Sequence, residues 1–115
     1  MGYNADVNNQ KSVFIMGTRN EESIRVVYDK VLYIKKVGNQ ICVYFEDGYK
    51  KFFRSNLKMF HSKFPKSKFL KINRSIVVNK DKVTGVIKNQ VMISNNAVFE
   101  LSRSFKKSFK EGLSK

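Results

Sequence analysis

Apolar and polar side chains alternate with a period of two along most of this chain, the pattern of strands with one face buried. Ser12–Gly17 (S-V-F-I-M-G) and Ser23–Tyr28 (S-I-R-V-V-Y) predict two short strands, with the polar, turn-like Thr18–Glu22 between them. Val31–Val37 predicts a third strand. Gly38-Asn39 then supplies residues that tolerate positive φ, as a tight hairpin turn requires. Gln40–Glu46 returns, setting Ile41, Val43 and Phe45 against Gln40, Cys42 and Tyr44. Asp47-Gly48 is a second hairpin signal, and Tyr49–Phe53 follows as another strand. Residues 31–53 therefore read as a three-stranded meander.

The period changes at Ser55. Leu57, Phe60 and Phe64 fall on one helical face and predict a helix of about ten residues. Ser55 is placed to cap it, and Pro65 closes it by pushing the preceding residue out of the α region. Phe69–Asn79 mixes apolar anchors with polar insertions and reads as an irregular connection pinned by Phe69, Ile72 and Val77. Val83–Lys88 predicts a strand, Lys88-Asn89-Gln90 a turn, and Val91–Ser94 pairs with Ala97–Leu101 across Asn95-Asn96. Phe105, Phe109 and Leu113 form a final helical stripe, with Lys106, Lys107 and Lys110 off it. The expected fold class is mainly β with two short helices. Residues 12–115 form one domain, and residues 1–11 a disordered N-terminal segment or linker remnant.

Composition narrows the class. A chain of 115 residues that is 42% hydrophobic, with ten Phe, can pack one core without metal or disulfide staples. A single cysteine, Cys42, forbids an internal disulfide and fits a reducing cytoplasm. No apolar run approaches the roughly 20 residues that span a bilayer, and Met1–Gln10 lacks the apolar segment of a signal peptide. No membrane role is expected.

Charge changes the picture more. The net charge is +14, yet residues 1–49 carry six basic and six acidic side chains. Residues 50–115 carry seventeen basic and three acidic ones. Such one-sidedness points to a polyanionic partner, nucleic acid first, then an anionic membrane surface or an acidic protein.

Catalytic constellations are thin. His61, the only histidine, sits beside an apolar helical stripe and reads as a surface or boundary residue. Glu21, Glu22, Glu46 and Asp47 lie in predicted turns rather than as a poised carboxylate pair. One Cys and one His cannot build a zinc cluster, and no phosphate-binding glycine loop is present. Cys42 lies mid-strand and reads as buried. The chain is expected to be no enzyme and to hold no cofactor or metal.

Nucleic-acid recognition needs cations for phosphates and forked or flat groups for base edges, and loops are where such residues are free to act. Three places qualify. The first is the hairpin tip with Lys35, Lys36, Asn39 and Gln40. The second is Lys71, Asn73, Arg74 and Ser75 in the irregular connection. The third is Ser102, Arg103 and Ser104 at the entry to the last helix. Arg spans guanine O6 and N7, and Asn does the same for adenine, so Arg74, Arg103 and an asparagine such as Asn39 can reach base edges. The remaining residues of these places, with Lys106 and Lys107, are candidates for the sugar-phosphate backbone. Each has a structural reading beside the functional one: Asn73 and Asn79 as backbone caps, Ser102 as a helix cap, the helix lysines as a solvated face.

The pattern resembles the LytTR family of bacterial DNA-binding domains. Phe69-Leu70-Lys71-Ile72-Asn73-Arg74-Ser75-Ile76-Val77-Val78-Asn79 is similar to that family's stretch F-x-R-x-H-R-S-x-x-V-N. Val31-Leu32-Tyr33-Ile34 before a polar hairpin resembles its opening strand. Leu101-Ser102-Arg103 before an aromatic resembles its S-R-x-[YF]. Lys71 stands where Arg is common, and Asn73 where His is common, which bears on the target sequence. The resemblance implies an elongated antiparallel β fold and transcription regulation through double-stranded promoter DNA at paired direct repeats. It implies loops that enter successive major grooves, with Asn39, Arg74 and Arg103, one from each of the three places, as the base-contact candidates. It also implies a receiver domain or RNA polymerase as further partners, in a two-component response regulator, and a monomer or weak dimer off DNA. Two other readings stay open on the residues alone. One is single-stranded DNA or RNA binding on a platform of Tyr33, Tyr44 and Tyr49. The other is an accessory domain docking on an acidic protein.

Overall fold

The computed structural model describes residues 11–17 and 22–115. The expected disordered segment, apart from Lys11, and the turn at residues 18–21 lie outside the described residues. A β1–β2 hairpin (Ser12–Met16, Ser23–Val27) comes first, ending in a single 3-10 turn at Tyr28–Lys30. The central sheet follows, with β3 (Val31–Val37), β4 (Gln40–Phe45), β5 (Lys50–Phe53), β6 (Phe69–Asn73) and β7 (Ile76–Asn79). Its order is β5-β4-β3-β7-β6, antiparallel throughout. A second meander comprises β8 (Val83–Ile87), β9 (Gln90–Ile93) and β10 (Val98–Glu100). Helix α1 (Leu57–His61) joins β5 to β6, and α2 (Arg103–Leu113) ends the chain.

The meander of β3–β5 forms as its alternation predicts. Its two turns carry Gly38 at φ 61° and Gly48 at φ 91°, conformations that residues with a Cβ rarely adopt. Strand β3 is buried on both faces: Val31 and Ile34 face one core, Leu32 and Tyr33 the other. The first core lies between the sheet, the β1–β2 hairpin and α1, around Phe53, Phe60, Phe64 and Phe69. The second lies between the sheet, the β8–β10 meander and α2, around Ile72, Val78, Val91, Leu101 and Phe109.

Three expectations are corrected. Residues 69–79 are not irregular but two paired strands of the central sheet. Their alternation is hidden because β7 is buried on both faces, giving an unbroken Ile76-Val77-Val78, and because β6 bulges between Lys71 and Asn73. The first helix spans five residues, not ten. Beyond His61 the chain tightens through i+3 bonds, Lys63 N–H to Phe60 O and Phe64 N–H to His61 O, on the way into Pro65. Its expected stripe is nonetheless buried, with Leu57, Phe60 and Phe64 all in the first core. The cap of that helix is Asn56, whose Oδ1 accepts from Met59 N–H at 2.9 Å. Ser55 instead donates its hydroxyl to the Asn56 carbonyl.

Asn79 is the only buried polar side chain of the described core. Its Nδ2 donates to Val31 O at 2.9 Å and Tyr28 O at 3.3 Å, and its Oδ1 accepts from Asp81 N–H at 3.0 Å. The capping role read from the sequence therefore holds for Asn79. Cys42 is buried in β4, as expected, and burial pushes its thiol pKa up.

Candidate nucleic-acid interface

Main-chain hydrogen bonds bring the three sequence-chosen places to one end of the central sheet. Lys36 N–H donates to Ser75 O at 2.8 Å, which ties the β3–β4 hairpin to the β6–β7 turn. Ser102 N–H donates to Ile72 O at 2.9 Å, which ties the start of α2 to the same turn. Asn73 Nδ2 adds a bond to Glu100 O at 2.8 Å, and its Oδ1 accepts from Ser75 N–H at 2.9 Å. Two residues of turn between β6 and β7, Arg74 and Ser75, are thereby held from both sides.

Asn39, Arg74 and Arg103 are all exposed at this end, together with Lys36, Ser104 and Lys107. None of these cations forms an ion pair with a described residue. Ser102 occupies the N-cap position of α2 but makes no side-chain cap bond, so its hydroxyl is not committed there. Lys106 is half-buried, with Nζ 3.4 Å from Asn89 Oδ1. Lys71 turns toward the terminal helix, its Nζ 5.5 Å from the centre of the Phe105 ring. Lys35 is half-buried in β3. Gln40 is set apart, lining a shallow hollow with Lys50, Lys51 and Phe52.

The far end of the sheet is electrostatically different. Asp29 and Glu46 flank the start of β3 and the end of β4, and Asp81 follows β7. Lys68 pairs with Asp29 and, at 3.2 Å, with Asp81; Lys82 pairs with Glu46 at 2.8 Å. The Lys68 ammonium holds the Asp29 carboxyl below its usual range, and Lys82 does the same for Glu46. Lys68 and Lys82 are thus paired with carboxylates at that end, while Lys36, Arg74 and Arg103 at the other are not. Lys35 and Lys36, from the half of the chain with no net charge, stand at the Arg74 end.

Sequence reasoning predicted the β8–β9 turn but did not assign it to the site. Leu101 N–H donates to Asn89 O at 2.7 Å, which places Lys88 and Asn89 beside Arg103. Asn89, Glu100, Leu101, Arg103 and Lys106 enclose a cleft of about 310 Å³. The available signal was Lys88-Asn89-Gln90, a turn of polar, hydrogen-bonding residues, but nothing local indicates which loops it joins.

The whole stretch from residue 21 to residue 114 matches the LytTr DNA-binding domain family. The chain belongs to that family. It is a DNA-binding rather than a catalytic family, and the LytTR fold accounts for the sheet arrangement. One solved structure is similar over 92% of this chain and 99% of its own, at 21% identity and a TM-score of 0.75. That structure is the LytTr DNA-binding domain of a protein from Bacillus cereus described as a methyl-accepting/DNA response regulator. No curated protein matches the chain. Among the described residues of this LytTR domain, no helix is long and apolar enough to cross a membrane. No group of His, Cys, Asp and Glu among them could hold a metal ion.

Proposed function

We propose that residues 12–115 bind double-stranded DNA sequence-specifically, as the output domain of a bacterial transcriptional regulator acting in the cytoplasm. The observation that carries this reading is the convergence of three exposed loops with unpaired Arg74 and Arg103 at one sheet end. Arg74 and Arg103 read guanine edges and Asn39 an adenine edge. Lys35, Lys36, Lys106, Lys107, Ser75, Ser102 and Ser104 contact sugar and phosphate and set the register. Lys71 and Gln40 reach the backbone only at the margins of this surface. Asn73 acts by holding the Arg74 turn, since both ends of its amide already have protein partners. Asn89 and Lys88 extend the same surface.

A target of paired direct repeats suits a small reader whose contacts come from a few loops. A receiver domain or RNA polymerase is the further partner in this regulatory reading. Off DNA the domain is a monomer or weak dimer.

The single-stranded alternative loses its platform. Tyr33 is 7% exposed and stacks on Tyr44 at 4.5 Å, inside the second core, where burial pushes the Tyr44 hydroxyl up to about 12. Only Tyr49 of the three is exposed.

The test is a mobility-shift assay with a duplex of paired direct repeats, a scrambled duplex and the matching single strand, all at one salt concentration. Selected repeats should bind roughly a thousandfold or more tighter than scrambled sequence. Equal affinity for the two duplexes, or preference for the single strand, refutes the reading.

A further inference from the structure

A further concavity lies between α2 and the start of β6, with a volume of about 490 Å³, within the range of small-molecule sites. Its floor is apolar: Phe69, Leu70 and Phe109 are buried, and Phe105 is partly exposed. Its rim carries Lys66 and Lys71 on the β6 side and Lys115 just past the end of α2, with Glu111 among them. The backbone approach is close: a Cβ on Gly112 would stand 2.7 Å from Leu70 Cδ2, so α2 is pressed onto the floor at one end.

This combination is unlike the proposed DNA surface. Phosphates need cations and hydrogen-bond donors but gain nothing from a phenylalanine floor. An apolar body with a single negative group satisfies both parts of the concavity. The Phe105 ring with Lys71 Nζ 5.5 Å from its centre offers a flat wall beside a cation. We propose that this groove is a binding site for a small amphipathic organic anion, an aromatic carboxylate, whose ring lies on the phenylalanine floor and whose carboxylate meets Lys66 and Lys71.

His61 lines the same groove and reports on it. Its Nε2 stands 2.8 Å from the Phe69 carbonyl, which can only accept, so the neutral ring carries its proton there. Burial lowers the His61 pKa, the Phe69 carbonyl opposes that, and Lys66 and Lys71 lower it further. A carboxylate placed between the two lysines offsets their field and raises the His61 pKa.

His61 is the only histidine, so its imidazole resonances are unambiguous. Cinnamate is added to the intact chain and followed by proton–nitrogen correlation NMR, with neutral cinnamamide as the matched control. Cinnamate should shift the His61 signals saturably and raise their titration midpoint. A Lys66→Gln/Lys71→Gln double variant should bind cinnamate roughly threefold to tenfold more weakly, with cinnamamide binding unchanged. Unmoved His61 signals, equal affinity for the two probes, or undiminished cinnamate binding by the variant overturns the proposal. No DNA enters the experiment, so its outcome is separate from that of the mobility-shift assay.

Discussion

The side-chain amide of Asn73 donates to the main-chain carbonyl of Glu100 at 2.8 Å and so links the β6–β7 turn to the strand that leads into α2. The same amide accepts from Ser75 N–H at 2.9 Å, closing the turn that carries Arg74. Together with the Ser102 N–H bond to Ile72 O, this asparagine fixes the relative placement of Arg74 and Arg103 without needing to touch DNA.

Asn73→Ala removes both bonds and leaves a carbonyl and an N–H without their partner. The expected cost is about 1–2 kcal/mol of stability, read as a lower urea midpoint at unchanged slope. Specific DNA affinity should fall as well, because the two arginine loops loosen. An affinity loss with no change in urea midpoint would instead make Asn73 a direct reader.

Arg74→Ala and Arg103→Ala should each cost on the order of 1–3 kcal/mol of discrimination between target and scrambled duplex. Both side chains are exposed and unpaired, so stability should change by less than about 0.5 kcal/mol. Lys107→Ala should weaken all sequences alike and reduce the salt slope by about one. Titrations at several salt concentrations separate the two behaviours.

Asn79→Ala should be the most damaging polar substitution. It orphans the Tyr28 and Val31 carbonyls and the Asp81 N–H in a site with 0% exposure. A loss of about 3 kcal/mol is expected from urea unfolding. An Asn79→Asp variant should fare no better, since it loses the donor and buries a charge.

His61 makes stability pH-dependent. Burial lowers its folded pKa below the ordinary 6.5, so the unfolded chain binds more protons in that window. Stability should fall as pH drops below about 6.5 and level off beneath the folded pKa. Asp29 and Glu46, with lowered pKa values, lose their contribution only in the carboxylate range, below the histidine window. Urea midpoints between pH 7 and pH 5 should decline for the native chain and flatten for His61→Gln. An unchanged slope in the variant would assign the dependence elsewhere.

The apolar run of Val31–Ile34, the alternation of Gln40–Phe45, the glycines at positive φ in their turns and the Leu57, Phe60, Phe64 stripe were legible because each is a local property of the chain. So were the three loops that hold Asn39, Arg74 and Arg103, which composition and position relative to the strands pick out. The tertiary structure decided what local pattern cannot encode. Phe69–Asn79 looked irregular because a strand covered on both faces has no polar side to alternate with. The convergence of the loops rests on contacts such as Lys36 with Ser75 and Leu101 with Asn89, whose partners are set by sheet order. The same order decides which lysines meet a carboxylate and which stay free for an anion: Lys68 and Lys82 are paired at one end of the sheet, and Arg74 and Arg103 are left unpaired at the other.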